Sequence, residues 1–366
     1  MSPSSAEIPA FPTVEVSTGT WWHLCPRFPP QVCGVADYAL TMQAAFEGSV
    51  MNLVADPLWK PEPGTGRALA VDHRQGLAVQ LGKLGIDQLT VHYVCYGYSK
   101  RGFPFWLVRE LAAWKSATPG SRLTVFFHEL FVMQNVPFHT SVYWCKPFQR
   151  IVANRLILLA DRLFTSNEMY ASYINKQLRS DQSCMVLPVF SNFGEPSSLL
   201  PWDQRAPVIV IAGQAKTRAG AVELHRDLLT SGLAGIGCTE VVEFGPGESC
   251  RIPGVQVPWK FLGRIEREQA SQILCGAKYG LMSGLYHMAP VTKSGIFAAY
   301  AAHGVIPVLR GEDIKLESIS PAWCHLNGSG PGDPAAASQL LSHWHSGHNS
   351  RAAAAAVAPP ELGPSP

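Results

Sequence analysis

From residue 14 to residue 309, short apolar runs rich in β-branched and aromatic side chains alternate with longer stretches of helical character. The runs predict strands at Val14–Leu24, Val50–Ala55, Gln88–Val94, Leu123–Phe127, Arg162–Thr165 and Met185–Val189. Between them, helices are expected at Val35–Phe46, Leu77–Leu84, Pro104–Trp114, Val142–Ala160 and Glu168–Leu178. Strands this apolar are covered on both faces, which with intervening helices implies a doubly wound parallel sheet.

The punctuation changes at Phe190–Trp202, a turn-rich linker of Ser, Asn, Gly, Glu and Pro. A second alternation follows: strand Val208–Ala212, helix Gly220–Leu229, strand Val241–Phe244, strand-like Gln256–Leu262, helix Arg267–Ala277, strand Tyr279–Met282, helix Ser294–His303 and strand Val305–Leu309. At roughly 150 residues per domain, a chain of 366 residues has room for two such halves. The boundaries expected are an N-terminal Rossmann-like domain over 13–195, a C-terminal one over 205–330 and a helix over 331–351. Residues 1–12 and 352–366, rich in Pro, Ser and Ala, are expected to be flexible tails. No internal repeat is visible.

Composition narrows the partners. Apolar residues make up 47% and charged residues 15%, which excludes a disordered chain. Lys+Arg 29 against Asp+Glu 27 leaves a formal charge of +2, so no nucleic-acid partner is implied. Nine cysteines without a CxxC pair fit reduced thiols in the cytoplasm, and Met1–Val14 lacks the charged and apolar regions of a signal peptide. Apolar runs are too short to span a bilayer, leaving peripheral association as the form a membrane contact would take.

In open α/β sheets, ligands bind beyond the carboxyl ends of the strands, so the residues just after each strand are the candidates. After the first strand, Gly34 opens a helix whose bare amides suit an anionic or hydroxyl-rich ligand. After the third come Tyr96 and Tyr98, hydroxyls and rings that suit a sugar face or interdomain packing. His128 and Glu129 end the fourth, where a neutral imidazole could accept a proton or hold a substrate. In the second half, Gly213 and Gln214 lead into Lys216 and Arg218, a point charge and a fork suited to phosphate. Lys293, Ser294 and Gly295 open a later helix, and a diphosphate between that terminus and Lys216/Arg218 is the sharpest expectation. The sequence matches neither GxxxxGK[ST] nor GxGxxG. His343, His345 and His348 read as a solvated helix end, and no metal site or cofactor is expected.

Four segments together resemble the GT-B glycosyltransferases of family 4: Gly34-Val-Ala-Asp-Tyr-Ala, His128-Glu-Leu, Phe261-Leu-Gly-Arg-Ile-Glu-Arg-Glu-Gln, and Lys293-Ser-Gly-Ile-Phe-Ala-Ala-Tyr with the following Ala-Ala-His-Gly-Val-Ile-Pro-Val. The resemblance runs over about residues 14 to 345 and rests on the order and spacing of the segments. It implies two Rossmann-like domains across a cleft, a nucleotide-diphosphate sugar donor, a glycan or other hydroxyl acceptor, no metal and retention of configuration. It further implies that His128 contacts the transferring sugar, that Lys216 and Arg218 neutralise the leaving diphosphate, and that Gly263, Arg264 and Ile265 border the base. Lys293, Ser294 and Gly295 would cap the phosphates, Gly34 would lie near them, and Asp37 would stand on the acceptor side with Tyr96, Tyr98 and Glu129.

One departure stands out. The family's two glutamates, eight positions apart, fall at Val291 and Ala299, and no Asp or Glu occurs from Gln269 to Gly311. Either Lys293, Ser294 and backbone groups take the donor instead, or the chain is a glycan-binding or partner subunit without transfer activity. An epimerase or phosphorylase on the same architecture is a further alternative.

Overall fold

The structure, a computed structural model, describes residues 19–31, 33–61, 67–179, 181–283, 291–310, 319–326 and 330–362. The first lobe is built on β1 (Trp21–Cys25), β2 (Val50–Val54), β3 (Ala68–Ala70), β4 (Gln88–Tyr93), β5 (Arg122–Phe127), β6 (Arg162–Thr165) and β7 (Cys184–Val186). Its helices are α1 (Gly34–Ala44), α2 (Leu77–Lys83), α3 (Phe105–Ala117), α4 (Ser141–Leu159) and α5 (Glu168–Asn175). The strands run in the order β3-β2-β1-β4-β5-β6-β7, all parallel. Every residue of β1 is buried, as expected of a strand covered on both faces.

The second lobe repeats the plan. It contains β8 (Ala206–Ala212), β9 (Glu240–Phe244), β10 (Trp259–Phe261), β11 (Ala277–Leu281), β12 (Ile306–Leu309) and β13 (His325–Leu326). With them come α6 (Ala215–Leu224), α7 (Arg226–Ser231), α8 (Arg267–Gly276), α9 (Gly295–Ala302), α10 (Pro334–Ser346) and α11 (Ser350–Val357). The order β10-β9-β8-β11-β12-β13 is again parallel and reverses direction between β8 and β11, as the first sheet does between β1 and β4. Those reversals open crevices at the carboxyl ends of both sheets. Two Rossmann-like α/β domains facing across a cleft are the result.

Several expectations change. The first strand begins at Trp21, not Val14, and residues 14–18 lie outside the described part. Ala68–Ala70 adds a short edge strand that the run Ala-Leu-Ala did not announce. The helix expected over Gly220–Leu229 starts five residues earlier, at Ala215, and breaks at His225 into two. Gly220, taken as a helix start, lies mid-helix, where a Cβ would touch Ser283.

The largest correction is at the C-terminus. Residues 352–357, expected in a loose tail, belong with Ser350 and Arg351 to α11, which crosses back to the first lobe and packs on α1. Ala353, Ala354, Val357 and Ala358 are buried with Trp21, Met42, Phe126 and Phe164. The crossing is fixed by Glu195 in the linker, which accepts from the Ser350 amide (2.9 Å) and hydroxyl (2.7 Å). His345, expected at a solvated end, is buried and its Nε2 accepts from the Ser191 amide at 3.3 Å. Residues 1–12 and 363–366 lie outside the described part.

Candidate functional site

Two helices of the second lobe point their N-termini at one cavity of about 710 Å³. Gly213, with φ +116°, turns the chain out of β8 into α6, so Gln214 and Thr217 stand on the wall. Opposite them, Ser294 caps α9 by accepting from the Phe297 amide at 3.2 Å, and Gly295 and Ile296 line the cavity. The first amides of a helix have no intrahelical acceptor and carry the positive end of its dipole, so both starts favour an anion. Arg264, Arg267 and Lys293 add three cations. Glu266 is the one carboxylate among the described lining residues.

Lys293 also lines a second cavity, of about 410 Å³, whose other walls come from the first lobe: Cys95, Tyr96, Glu129, Val132, Met133 and Tyr170 among them. Its ammonium donates to the Tyr170 hydroxyl at 3.1 Å and lies 4.8 Å from that ring's centre. This one side chain therefore joins the two lobes where the two cavities meet.

Arg218 is not on the wall. It is fully buried, its Nε 2.9 Å from Glu243, while Nη1 donates to the carbonyls of Gly213 and Pro246 and Nη2 to that of Glu248. Glu243 also accepts from the Ser249 hydroxyl (2.7 Å), the Cys250 amide (2.9 Å) and the Trp259 indole (2.9 Å). Burial alone would raise this carboxyl, but those bonds hold it below its ordinary value. The pair thus stitches the two loops that floor the cavity. Gly245, with φ +140°, lets them meet, since a Cβ there would collide with the Gly213 carbonyl. Lys216, two residues before Arg218, is exposed on the outer side of α6 and does not line the cavity.

In the first lobe, three histidines form a chain across the sheet. His23 Nδ1 lies 2.9 Å from His92 Nε2, and His92 Nδ1 lies 3.1 Å from His128 Nε2. Trp21, His23 and Cys25 share one face of β1, and pairing of His23 with Thr90 and of His92 with Phe126 puts all three rings on it. Burial holds His92 down to about 3, and burial together with neighbouring His92 lowers His23 and His128 well below 6.5. All three rings are neutral. His128 is half-buried, its ring edge-on to Tyr38 at 4.9 Å and stacked on Phe126 at 4.7 Å. Because His92 occupies Nε2, Nδ1 is the nitrogen that His128 can offer outward.

The remaining expected residues divide cleanly. Tyr96 and Glu129 face the smaller cavity, and the Tyr96 hydroxyl accepts from Gln149 Nε2 at 3.1 Å. Tyr98 is buried and donates to the Leu24 and His92 carbonyls, so it packs the sheet rather than facing a ligand. Gly34 is exposed with no atom within 4 Å of an added Cβ, and Asp37 is exposed on α1, its carboxyl raised by partial burial. Gly263, at φ +66°, turns the chain so that Arg264 and Ile265 reach the larger cavity. Sequence reasoning missed Thr217, Glu266, Arg267, Tyr170, His23 and His92. A polar residue in a strand buried on both faces was the signal for the two histidines, because it must find a partner.

Val291 and Ala299, where the resemblance places glutamates, are fully buried in the apolar core of the second lobe. Among the described residues no cluster of three metal-ligating side chains occurs, and no helix is long and apolar enough to cross a membrane.

No family model and no curated protein sequence matches the chain. Solved structures do. The N-terminal domain of Candida albicans trehalose-6-phosphate phosphatase superposes with a TM-score of 0.52 at 11% identity, covering 94% of this chain and 96% of that one. An alpha-glucosyltransferase solved with UDP and a 13-mer DNA containing a HMU base gives 0.50 at 14% identity, covering 89% and 90%. A glycosyltransferase from Rickettsia africae gives 0.50 at 11%, covering 93% of each chain. Identities this low speak for architecture alone, and the architecture, two Rossmann-like domains in matching strand order, is a GT-B-like glycosyltransferase fold.

Proposed function

We propose that the protein transfers a sugar from a nucleoside-diphosphate sugar to a hydroxyl-bearing acceptor. The observation that carries this reading is the cavity where the starts of α6 and α9 converge with Arg264, Arg267 and Lys293. A diphosphate is the ligand that such a wall favours, and charge developing on it as it departs is stabilised in place, without a metal ion. Arg264 and Ile265 border the base. Glu266 takes donor hydroxyls in place of the glutamate pair, and Lys216, on the outer side of α6, stands apart from the diphosphate. Arg218 supports the floor through Gly213, Pro246 and Glu248 and touches no ligand. The acceptor enters the smaller cavity beside Tyr96 and Glu129, with the outward Nδ1 of His128 offered to the transferring sugar. Retention of configuration follows the family resemblance.

Calorimetry and thermal shift with UDP, GDP and ADP test the reading. At least one diphosphate should stabilise the wild type, and Lys293→Ala should bind it roughly 10- to 100-fold more weakly, as loss of a charged hydrogen bond implies. If no diphosphate binds, or if Lys293→Ala binds as tightly as wild type, the reading fails. The buried Val291 and Ala299 favour one second reading, a sugar-binding protein without turnover. Diphosphate binding with neither donor hydrolysis nor transfer would select it.

A further inference from the structure

The exposed large aromatic side chains of the described residues gather on one face of the first lobe. Tyr143, Trp144 and Phe148 stand outward on α4, with Ile151 and Leu158 further along the same helix. Phe138 precedes the helix and Phe105 opens α3 beside it, where Phe103 bridges the rings of Phe105 and Phe148. Exposure reaches 71% at Phe138, 66% at Trp144 and 68% at Leu158, too much for side chains that merely edge a core. The inner face of α4 is already satisfied: Val152, Ala153, Leu156 and Ile157 are buried in the lobe's core. This helix is therefore apolar on two sides, and the outer one has nothing over it among the described residues.

Charge says what covers it. Residues 130 to 160 contain no Asp or Glu but carry Lys146, Arg150 and Arg155, and Lys100 and Arg101 come just before Phe103, which packs on Phe148. Exposed aromatic and aliphatic residues ringed by cations, on a helix not apolar enough to span, are the pattern of a surface that lies in the headgroup layer. A protein partner of this shape would need a matching acidic rim; an anionic bilayer supplies both the apolar depth and the negative charge.

We infer that the α4 face docks peripherally on a membrane surface rich in anionic lipid. The helix lies parallel to the bilayer, with Trp144, Phe148, Ile151 and Leu158 at the acyl boundary and Arg150 and Arg155 among the headgroups. The loop leading into α4 walls the smaller cavity through Val132 and Met133, and it is pinned to the helix by Gln149, which accepts from the Val132 amide, and by Lys146, which donates to the Gln134 carbonyl. Docking therefore sets that cavity beside the bilayer.

Vesicle co-sedimentation of the full chain tests this without any assay of activity, so it stands or falls apart from the proposed transfer. Vesicles of phosphatidylcholine mixed with phosphatidylglycerol should retain the protein at least about tenfold better than phosphatidylcholine alone, since each basic residue near the surface contributes about 1 kcal/mol. Trp144→Ser should weaken binding to the mixed vesicles several-fold, and Arg155→Glu should remove most of the preference for anionic lipid. Both sites are exposed, and unchanged thermal unfolding confirms that each variant is folded. Failure to bind the mixed vesicles overturns the inference, as does binding that neither substitution alters. A dimer in light scattering that Trp144→Ser dissociates overturns it too, because the face then belongs to a second copy.

Discussion

Beneath the cleft, the first lobe buries three neutral rings, His23, His92 and His128; the second buries an ionised pair, Arg218 and Glu243. Both arrangements sit under the carboxyl ends of a parallel sheet in equivalent strand order. The difference lies in what each costs to bury. Neutral imidazoles linked at 2.9 and 3.1 Å avoid the cost of burying charge, but only while they stay unprotonated, and His23 Nε2 at the inner end is buried without a partner. An ion pair is costly to desolvate and holds because further hydrogen bonds surround it, here from Ser249, Cys250 and Trp259 and to three loop carbonyls. The histidine chain is vulnerable to acid, the ion pair to the loss of a partner.

Acid should give the largest effect. His23, His92 and His128 are depressed by burial, as are His225, His303 and His345 at about 4, while the unfolded chain protonates its histidines near 6.5. The unfolded state then binds more protons, so stability is complete above 6.5 and is lost as pH falls toward 4, by up to about 1.4 kcal/mol per histidine per pH unit. Urea unfolding between pH 7.5 and pH 5 reads the loss. Hydrogen exchange locates it. His23 and His92 lie within strands and His128 just after one, whereas His225, His303 and His345 stand at helix ends. Amides of β1, β4 and β5 should therefore lose protection before those of β8 and β9. Equal loss in both sheets would break the contrast between the lobes.

Arg218→Met attacks the other side. It leaves Glu243 buried without its cation, a cost of about 3–5 kcal/mol in urea unfolding at pH 7.5. Adding Glu243→Gln should lose less than the sum of the two single changes, because they share one interaction. Strict additivity would show that the pair is not coupled.

The alternation of strands and helices was legible because buried parallel strands are apolar throughout, and Gly213, Arg264 and Lys293 were legible because ligand residues follow strands. Arg218 was misread for a physical reason. With the helix started at Gly220, Lys216 and Arg218 both fell in a loop and could point the same way. In α6 they are two residues apart, about 200° around the axis, so one faces water and the other the core. The histidine chain was hidden differently. The three come from separate stretches of sequence, within β1, within β4 and just after β5, and only the register of those strands, a long-range property, sets the rings in line. The alanines of α11 looked like a loose tail because small side chains show no amphipathic contrast, yet smallness is what lets the helix approach Trp21 and Phe164.

The subtlest expectation concerns how far the ring behind His128 governs it. His92→Phe keeps a flat ring of similar size against Phe126 and removes both nitrogens, so His128 Nε2 and His23 Nδ1 lose their partners together. In the wild type the bond from His92 should hold His128 in one tautomer; in the variant, nitrogen–proton correlation spectra should show a mixture. Diphosphate affinity should hardly change, because the cationic cavity belongs to the other lobe. If the protein is a transferase, turnover should fall roughly tenfold, the worth of one hydrogen bond, while the donor KM stays put. A merely structural role would lower stability without moving the tautomer, and a single unchanged tautomer in the variant would show that His128 does not depend on the chain behind it.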